Sequence, residues 1–136
     1  MKYAMIATWK MSLNGLNKGI QYLNEGKSCT EAIVKAINDV EENPAFHSVG
    51  YSGLPNEEGV VQCDAGYMNG DTLQVGAVGA LENVIHAVDV AVACSPSRFN
   101  NVLVGEGANQ FARQLGFVEG KLTTPECLEM YEKRLN

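Results

Sequence analysis

The chain has 136 residues, of which 46% are hydrophobic and 19% charged, a composition that predicts one globular domain and excludes a disordered chain or a coiled coil. Sixteen acidic against ten basic residues give a formal charge of -6, and the basic residues are scattered along the chain. This charge disfavours nucleic-acid binding, because the chain would repel a phosphate backbone.

The N-terminus is predicted to form a buried strand over residues 3–8, bounded by Trp9 and Lys10. The apolar run is shorter than the hydrophobic region of a secretory signal. No stretch of the chain reaches the roughly 18 apolar residues of a membrane span. Both observations favour a cytoplasmic protein.

Two amphipathic helices are predicted next. The first is capped by Ser12 and ends near Gly26. Its buried face carries apolar residues at spacings of three and four: Leu13, Leu16, Ile20 and Leu23. The second begins with a capping box of Ser28 and Glu31, and it stops before Pro44, which disfavours helical geometry in the residue before it. Its buried stripe consists of Ile33, Ala36, Ile37 and Val40.

A β-hairpin is predicted in the glycine-rich middle of the chain. Residues 61–67 alternate between apolar and polar, residues 72–78 form a second candidate strand, and Asn69 and Gly70 favour a tight turn between them. Residues 84–94 are rich in alanine and valine without a clear period, so strand and helix remain equally possible there.

A further strand and two helices complete the prediction. The strand covers residues 101–104 and turns through Gly105 and Gly107 into a helix that ends at Gly116. The last helix begins at Thr124, with proline at its first position. The order of elements is that of an α/β (α+β) fold, and residues 1–136 are predicted to form a single domain.

The four cysteines form no metal or redox motif. No two of them are spaced as C-x-x-C, and none has a histidine at metal-ligand spacing. The four are Cys29, Cys63, Cys94 and Cys127. They are expected to be buried reduced thiols, although their even number also permits two disulfides.

Residue chemistry alone identifies no complete active site. Gly105 and Gly107 between a strand and a helix are compatible with a dinucleotide-binding loop, but Gln110 stands at the third glycine of G-x-G-x-x-G. A Ser-His-Asp triad needs G-x-S-x-G or an equivalent, and the two histidines, His47 and His86, lie in no such setting.

An ordered series of residues resembles the glycosylasparaginase signature S-V-G-Y-G-G-x-P-[ND], then a glycine, L-D-A and M-D-G. The matching positions are Ser48, Val49, Gly50, Tyr51, Gly53, Pro55, Asn56, Gly59, Asp64, Ala65, Met68 and Gly70. The order continues through residues 76–78, 103–108, 111–112 and 116–117, and residues 8–10 resemble the S/T-W near the start of the mature chain. So many ordered matches over nearly the whole chain rarely arise by chance.

The resemblance implies the α-chain portion of an N-terminal-nucleophile (Ntn) hydrolase, which is half of a four-layer αββα sandwich. In this family a precursor cleaves itself before a threonine, and the α-amino group of that threonine then acts as base for its own hydroxyl. The reaction cleaves the side-chain amide of (glycosyl)asparagine without a metal or an organic cofactor. The implied partner is a β chain from the same precursor, in an (αβ)2 oligomer.

The sequence lacks the H-D-T tripeptide of the cleavage site, so no catalytic residue is assigned in it and this chain alone is expected to be inactive. Thr124 does not replace the nucleophile, because it starts a helix. Two substrate-binding residues are carried over. Trp9 matches the tryptophan that closes the pocket around the asparagine moiety, and Ser48 matches a serine beside the nucleophile. The alternative is that Trp9 ends a core strand and Ser48 pairs with backbone in a turn.

The sequence departs from the family pattern in four places. Asn69 stands where aspartate is usual, Ser52 where glycine is usual, His86 and Ala87 where Asn-Pro is common, and Val92 where arginine is frequent. The family pattern is therefore the weakest guide to this chain in the hairpin and at the start of the helix that follows it.

Two other classes of function stay open at this level. One is a noncatalytic α-half remnant or binding protein, and the other is a dinucleotide-binding domain. The resemblance leaves the choice among glycosylasparagine, asparagine and β-aspartyl peptides open, although the V-G-Y-x-G-x-P-N element favours the first.

Overall fold

A computed structural model describes residues 2–96, 99–117 and 120–136. These residues contain five α-helices, three β-strands and a short 3-10 helix (Lys10–Ser12). In chain order the larger elements are α1 (Leu13–Asn24), α2 (Cys29–Glu41), β1 (Gln62–Met68), β2 (Val75–Glu82), α3 (Ala87–Cys94), β3 (Val102–Val104), α4 (Glu106–Gln114) and α5 (Pro125–Leu135). The predicted mixed α/β class is confirmed.

The N-terminal segment is not the buried strand that the sequence predicts. Residues 2–7 have no regular secondary structure, and Ile6 is 93% exposed. A strand forms only when a neighbouring strand pairs with its backbone donors and acceptors. None of the described strands lies beside this segment, because the sheet consists of β1, β2 and β3.

Helices α1 and α2 pack through small residues. A Cβ atom on Gly15 would lie 2.2 Å from the carbonyl oxygen of Ala36, and one on Gly19 would lie 2.8 Å from the carbonyl oxygen of Ala32. The two backbones therefore approach each other at a distance that only glycine permits.

The predicted leucine face of α1 is only partly buried. Leu13 is 58% exposed, and Ile20 is also exposed. An apolar stripe is buried when a second layer covers it, and α1 packs chiefly on α2 and the 3-10 helix within the described part of the chain. The fully buried residues of α1 are Gly15 and Gly19, so the predicted apolar face is not the face that packs most closely in this structure.

One of the two predicted serine caps is confirmed. The Ser28 hydroxyl accepts a hydrogen bond from the Glu31 N–H at 3.2 Å, and the Glu31 carboxylate accepts one from the Ser28 N–H at 2.9 Å. Ser12 makes no side-chain cap, because its hydroxyl donates to the Trp9 carbonyl instead.

The sheet has the order β1-β2-β3, with β1 and β2 antiparallel and β2 and β3 parallel. The predicted hairpin is confirmed, but its connection is longer than a two-residue turn. The Asn69 side-chain oxygen accepts hydrogen bonds from the N–H groups of Asp71 at 2.9 Å and Thr72 at 3.1 Å. The positive φ in this loop belongs to Leu73, at 57°, and not to Gly70.

The undecided alanine-valine segment forms helix α3, which packs on the sheet. A Cβ atom on Gly76 of β2 would lie 2.0 Å from the carbonyl oxygen of Ala91, so glycine permits this contact.

The core lies between the helices and one face of the sheet. Its members are Val61, Cys63, Val78, Leu81, Val84, Ala87, Val90, Ala91, Cys94, Ala108, Phe111, Ala112 and Leu122.

The C-terminal part agrees with the prediction. Strand β3 turns into α4 at Gly105, which has a φ of 56°. Thr124 caps α5, and Pro125 occupies its first turn.

All four cysteines are free thiols, as predicted. Three of them are buried, but the prediction is wrong for Cys29, the first residue of α2, which is exposed.

Candidate functional site

Trp9 lies at the surface. Its side chain is 71% exposed, and its residue forms the N-cap of the 3-10 helix. It borders an apolar groove of about 570 Å³ between the N-terminal segment and α1 and α2, here called the Trp9 groove. Within this chain Trp9 therefore does not end a core strand.

Ser48 lies in the loop between α2 and β1. It is exposed and lines a second, open groove of about 590 Å³, here called the Ser48 groove. The other lining residues are Met11, Ala45, Phe46, His47, Leu54 and Arg134. The Ser48 hydroxyl has the Met11 sulfur as a weak partner at 3.8 Å and does not pair with backbone there, so it can turn to a better acceptor or donor.

Met11 connects the two predicted site residues. It follows Trp9 by two positions, contacts Ser48 through its sulfur, and lines both grooves. The fold thus places Trp9 and Ser48 on neighbouring grooves that share one methionine.

Sequence reasoning missed the hydrogen bonds that hold the Ser48 loop. Ser52 is 0% exposed and has a φ of 70°, a conformation that favours glycine. Its hydroxyl lies 2.7 Å from the Thr124 hydroxyl and 3.2 Å from Nδ1 of His47. Serine at this position, where the family usually has glycine, therefore adopts a strained backbone conformation. Its buried hydroxyl makes two polar contacts that a glycine could not make.

Ser52, His47 and Glu126 together have the composition of a serine-hydrolase triad, but they do not function as one. Substrate cannot reach Ser52, which has no exposed surface. Nε2 of His47 is 3.9 Å from the Glu126 carboxylate, which is beyond hydrogen-bond range. The arrangement is structural.

Glu41 is a second group that the sequence did not single out. It is 2% exposed, and one carboxyl oxygen accepts a hydrogen bond from the Val88 N–H at 3.1 Å, at the start of α3. Burial raises the pKa of Glu41 to about 7; hydrogen bonds from the N–H groups of Val88 and Ala87 oppose this, and the nearby Asp89 carboxylate adds to it. Its backbone carbonyl accepts from the Tyr51 N–H at 2.8 Å. Glu41 therefore links α2, the Ser48 loop and α3.

Two other departures from the family pattern have local partners. Asn69 presents the same acceptor oxygen as an aspartate to the loop that follows it. His86, before α3, pairs with the Glu42 carboxylate at 2.7 Å.

No group of three or more histidine, cysteine or acidic side chains in the described residues is placed to hold a metal ion. The described helices are also too short or too polar to cross a membrane.

The fold and its two grooves define a mixed α/β domain with an exposed tryptophan and serine beside a common methionine. The chain matches the asparaginase family over residues 6–135, and it belongs to that family.

Three relatives illustrate the match. The chain is 38% identical over 132 residues to a putative N(4)-(beta-N-acetylglucosaminyl)-L-asparaginase of Drosophila grimshawi, covering 95% of this chain and 34% of the relative. It is 32% identical over 134 residues to the N(4)-(beta-N-acetylglucosaminyl)-L-asparaginase of Elizabethkingia miricola, covering 98% and 39%. It is 35% identical over 133 residues to a plant-type L-asparaginase of Pyrococcus horikoshii, again covering 98% and 39%. The chain therefore spans between a third and two fifths of the length of these relatives.

Proposed function

We propose that residues 1–136 are the α-type domain of a glycosylasparaginase-like amidohydrolase, and that the threonine nucleophile is supplied by a β segment. The observation that carries the proposal is the family match over residues 6–135, combined with the absence of an H-D-T tripeptide from these residues. Relatives named for N(4)-(beta-N-acetylglucosaminyl)-L-asparagine support the glycosylated substrate.

Within this proposal the domain is one half of a four-layer αββα sandwich. The sheet has an apolar face that the described helices leave open, because the side chains of Met68, Val75, Val102 and Val104 are exposed. The N-terminal segment also lacks a pairing strand among the described residues. A β segment that added strands beside the N-terminal segment and a layer over the open sheet face would bury both.

Trp9 and Ser48 are proposed to form the α side of the substrate pocket. The indole would give a rigid apolar wall and one N–H donor to the asparagine moiety. The Ser48 hydroxyl would lie near the attacking threonine. That threonine would attack the side-chain amide, form an acyl-enzyme and release the amine, after which water would release aspartate.

The test is coexpression of this chain with a β segment that begins at threonine, followed by an assay of β-aspartyl amide hydrolysis. We expect hydrolysis by the pair and none by the 136-residue chain alone. A β segment with alanine in place of its first threonine is the matched control, and it should be inactive. Hydrolysis by the isolated chain, or an inactive but correctly assembled pair, would refute the proposal.

A further inference from the structure

The loop that carries Ser48 is held by the residue just before it. The His47 carbonyl accepts a hydrogen bond from the Leu54 N–H at 2.9 Å. Nδ1 of the His47 ring lies 2.9 Å from the Ser52 carbonyl oxygen. His47 therefore closes the loop twice, once with its backbone and once with its ring.

The ring contact fixes the tautomer of His47. A carbonyl oxygen only accepts, so the short contact from Nδ1 requires a hydrogen on Nδ1. The Ser52 hydroxyl, 3.2 Å from the same nitrogen, adds a second acceptor there. Among the described residues Nε2 has no hydrogen-bond partner of comparable distance, and the Glu126 carboxylate is 3.9 Å away from it.

The closed loop is in turn fastened to the start of α5. The Ser52 N–H donates to the Leu122 carbonyl at 2.7 Å, and the Ser52 and Thr124 hydroxyls are 2.7 Å apart. Because Ser52 is fully buried, its polar groups depend on these protein partners for their hydrogen bonds. Ser48 thus projects from a loop anchored at both ends.

We propose that His47 is a positioning residue: its Nδ1–H bond to Ser52 holds the loop that presents Ser48 to the groove. The part of this inference that concerns activity rests on the proposed function. The part that concerns the loop stands on the hydrogen bonds alone.

A pair of substitutions separates the two ring nitrogens. His47→Asn keeps a donor close to the position of Nδ1, whereas His47→Gln places its amide near the position of Nε2. If His47 acts through Nδ1, the asparagine variant should behave like the wild type and the glutamine variant should release the loop. If His47 acts through Nε2 instead, the glutamine variant should behave like the wild type and the asparagine variant should release the loop.

The first measurement uses the 136-residue chain. Two histidines make its ¹⁵N ring spectra simple to assign, and the tautomer is read at a pH where titration in the same spectra shows a neutral ring. We expect the Nδ1–H tautomer for His47. Amide exchange of Leu54 should be about tenfold faster in His47→Gln than in His47→Asn, as for the loss of one hydrogen bond. An Nε2–H tautomer in the wild type, or equal exchange in both variants, would overturn the inference. The wild-type tautomer decides the question even if a variant fails to fold.

The second measurement uses the complete α plus β enzyme. We expect kcat/KM to fall about tenfold in His47→Gln and to be largely retained in His47→Asn. Inactivity of the wild-type enzyme would count against the proposed function alone, because the tautomer and exchange data do not depend on it. Loop release in His47→Gln without any change in kcat/KM would overturn the role of His47 in positioning Ser48.

Discussion

Replacing the buried Glu41 by glutamine should remove a pH dependence from the stability of this chain. In the folded state burial raises the pKa of this carboxyl from 4.5 to about 7. The folded state therefore holds a proton that the unfolded state has lost between these two pH values. The contribution of this carboxyl to the free energy of unfolding is therefore fully present below about pH 4.5, and it is lost as the pH rises from there through 7.

The magnitude follows from the difference between the two pKa values. A difference of roughly 2.5 corresponds to about 3 kcal/mol of unfolding free energy lost between pH 4.5 and pH 8. A glutamine side chain is not ionisable, and its amide oxygen can still accept from the Val88 N–H. The Glu41→Gln variant should thus become more stable relative to wild type as the pH rises, by up to about 3 kcal/mol.

The assay is urea unfolding of wild type and Glu41→Gln at several pH values between 4.5 and 8. Glu58→Gln is the matched control, because it makes the same chemical change at an exposed position. Its effect on the unfolding free energy should be small, because the Glu58 side chain is exposed. If the free-energy difference between wild type and Glu41→Gln is the same at both ends of the range, the reasoning about the buried carboxyl is wrong.

Three further predictions follow from the grooves and the packing. In a complete enzyme, Trp9→Ala should lower kcat/KM by on the order of 2 to 4 kcal/mol in transition-state free energy. Tm should change little, because the indole borders a groove and is not part of the hydrophobic core. Phe99→Ala, which removes another exposed ring, should leave steady-state kinetics unchanged. A large drop in Tm without a kinetic effect for Trp9→Ala would contradict the assignment. Gly76→Ala should destabilise the chain by about 1 to 3 kcal/mol or more, because its Cβ would overlap the Ala91 carbonyl. The control is Gly107→Ala, which has open space around it in α4 and should be neutral or stabilising in thermal melts. Equal melting temperatures for the two variants would refute the packing argument. The 136-residue chain should self-associate through its exposed apolar faces, and a strictly monomeric chain in analytical ultracentrifugation would argue against this.

Local signals in the sequence determined most of the elements. The capping box at Ser28 and Glu31, the proline at the start of α5 and the glycine turn into α4 each depend on residues within a few positions of one another. Such signals satisfy backbone groups locally, so they predict an element without knowledge of the rest of the fold. The ordered motif around Ser48 also identified the family correctly.

Contacts between distant residues decided the rest. The sequence could not show that Leu13 stays exposed, because the apolar periodicity of a helix does not reveal which layer covers it. The N-terminal strand was wrong for a related reason, since the pairing of a strand depends on a neighbour elsewhere in the chain. The close approach of α1 and α2 at Gly15 and Gly19 likewise became visible only when both helices were in place.

The candidate site shows the same division. Motif order pointed to Trp9 and Ser48, and the structure places them on grooves that share Met11. Only the tertiary structure brought Ser52 to Thr124, 72 positions later in the chain. It also buried Glu41 against the start of α3. Burial and long-range hydrogen bonds depend on the packing of whole elements, and for that reason no local pattern of residues could have predicted them.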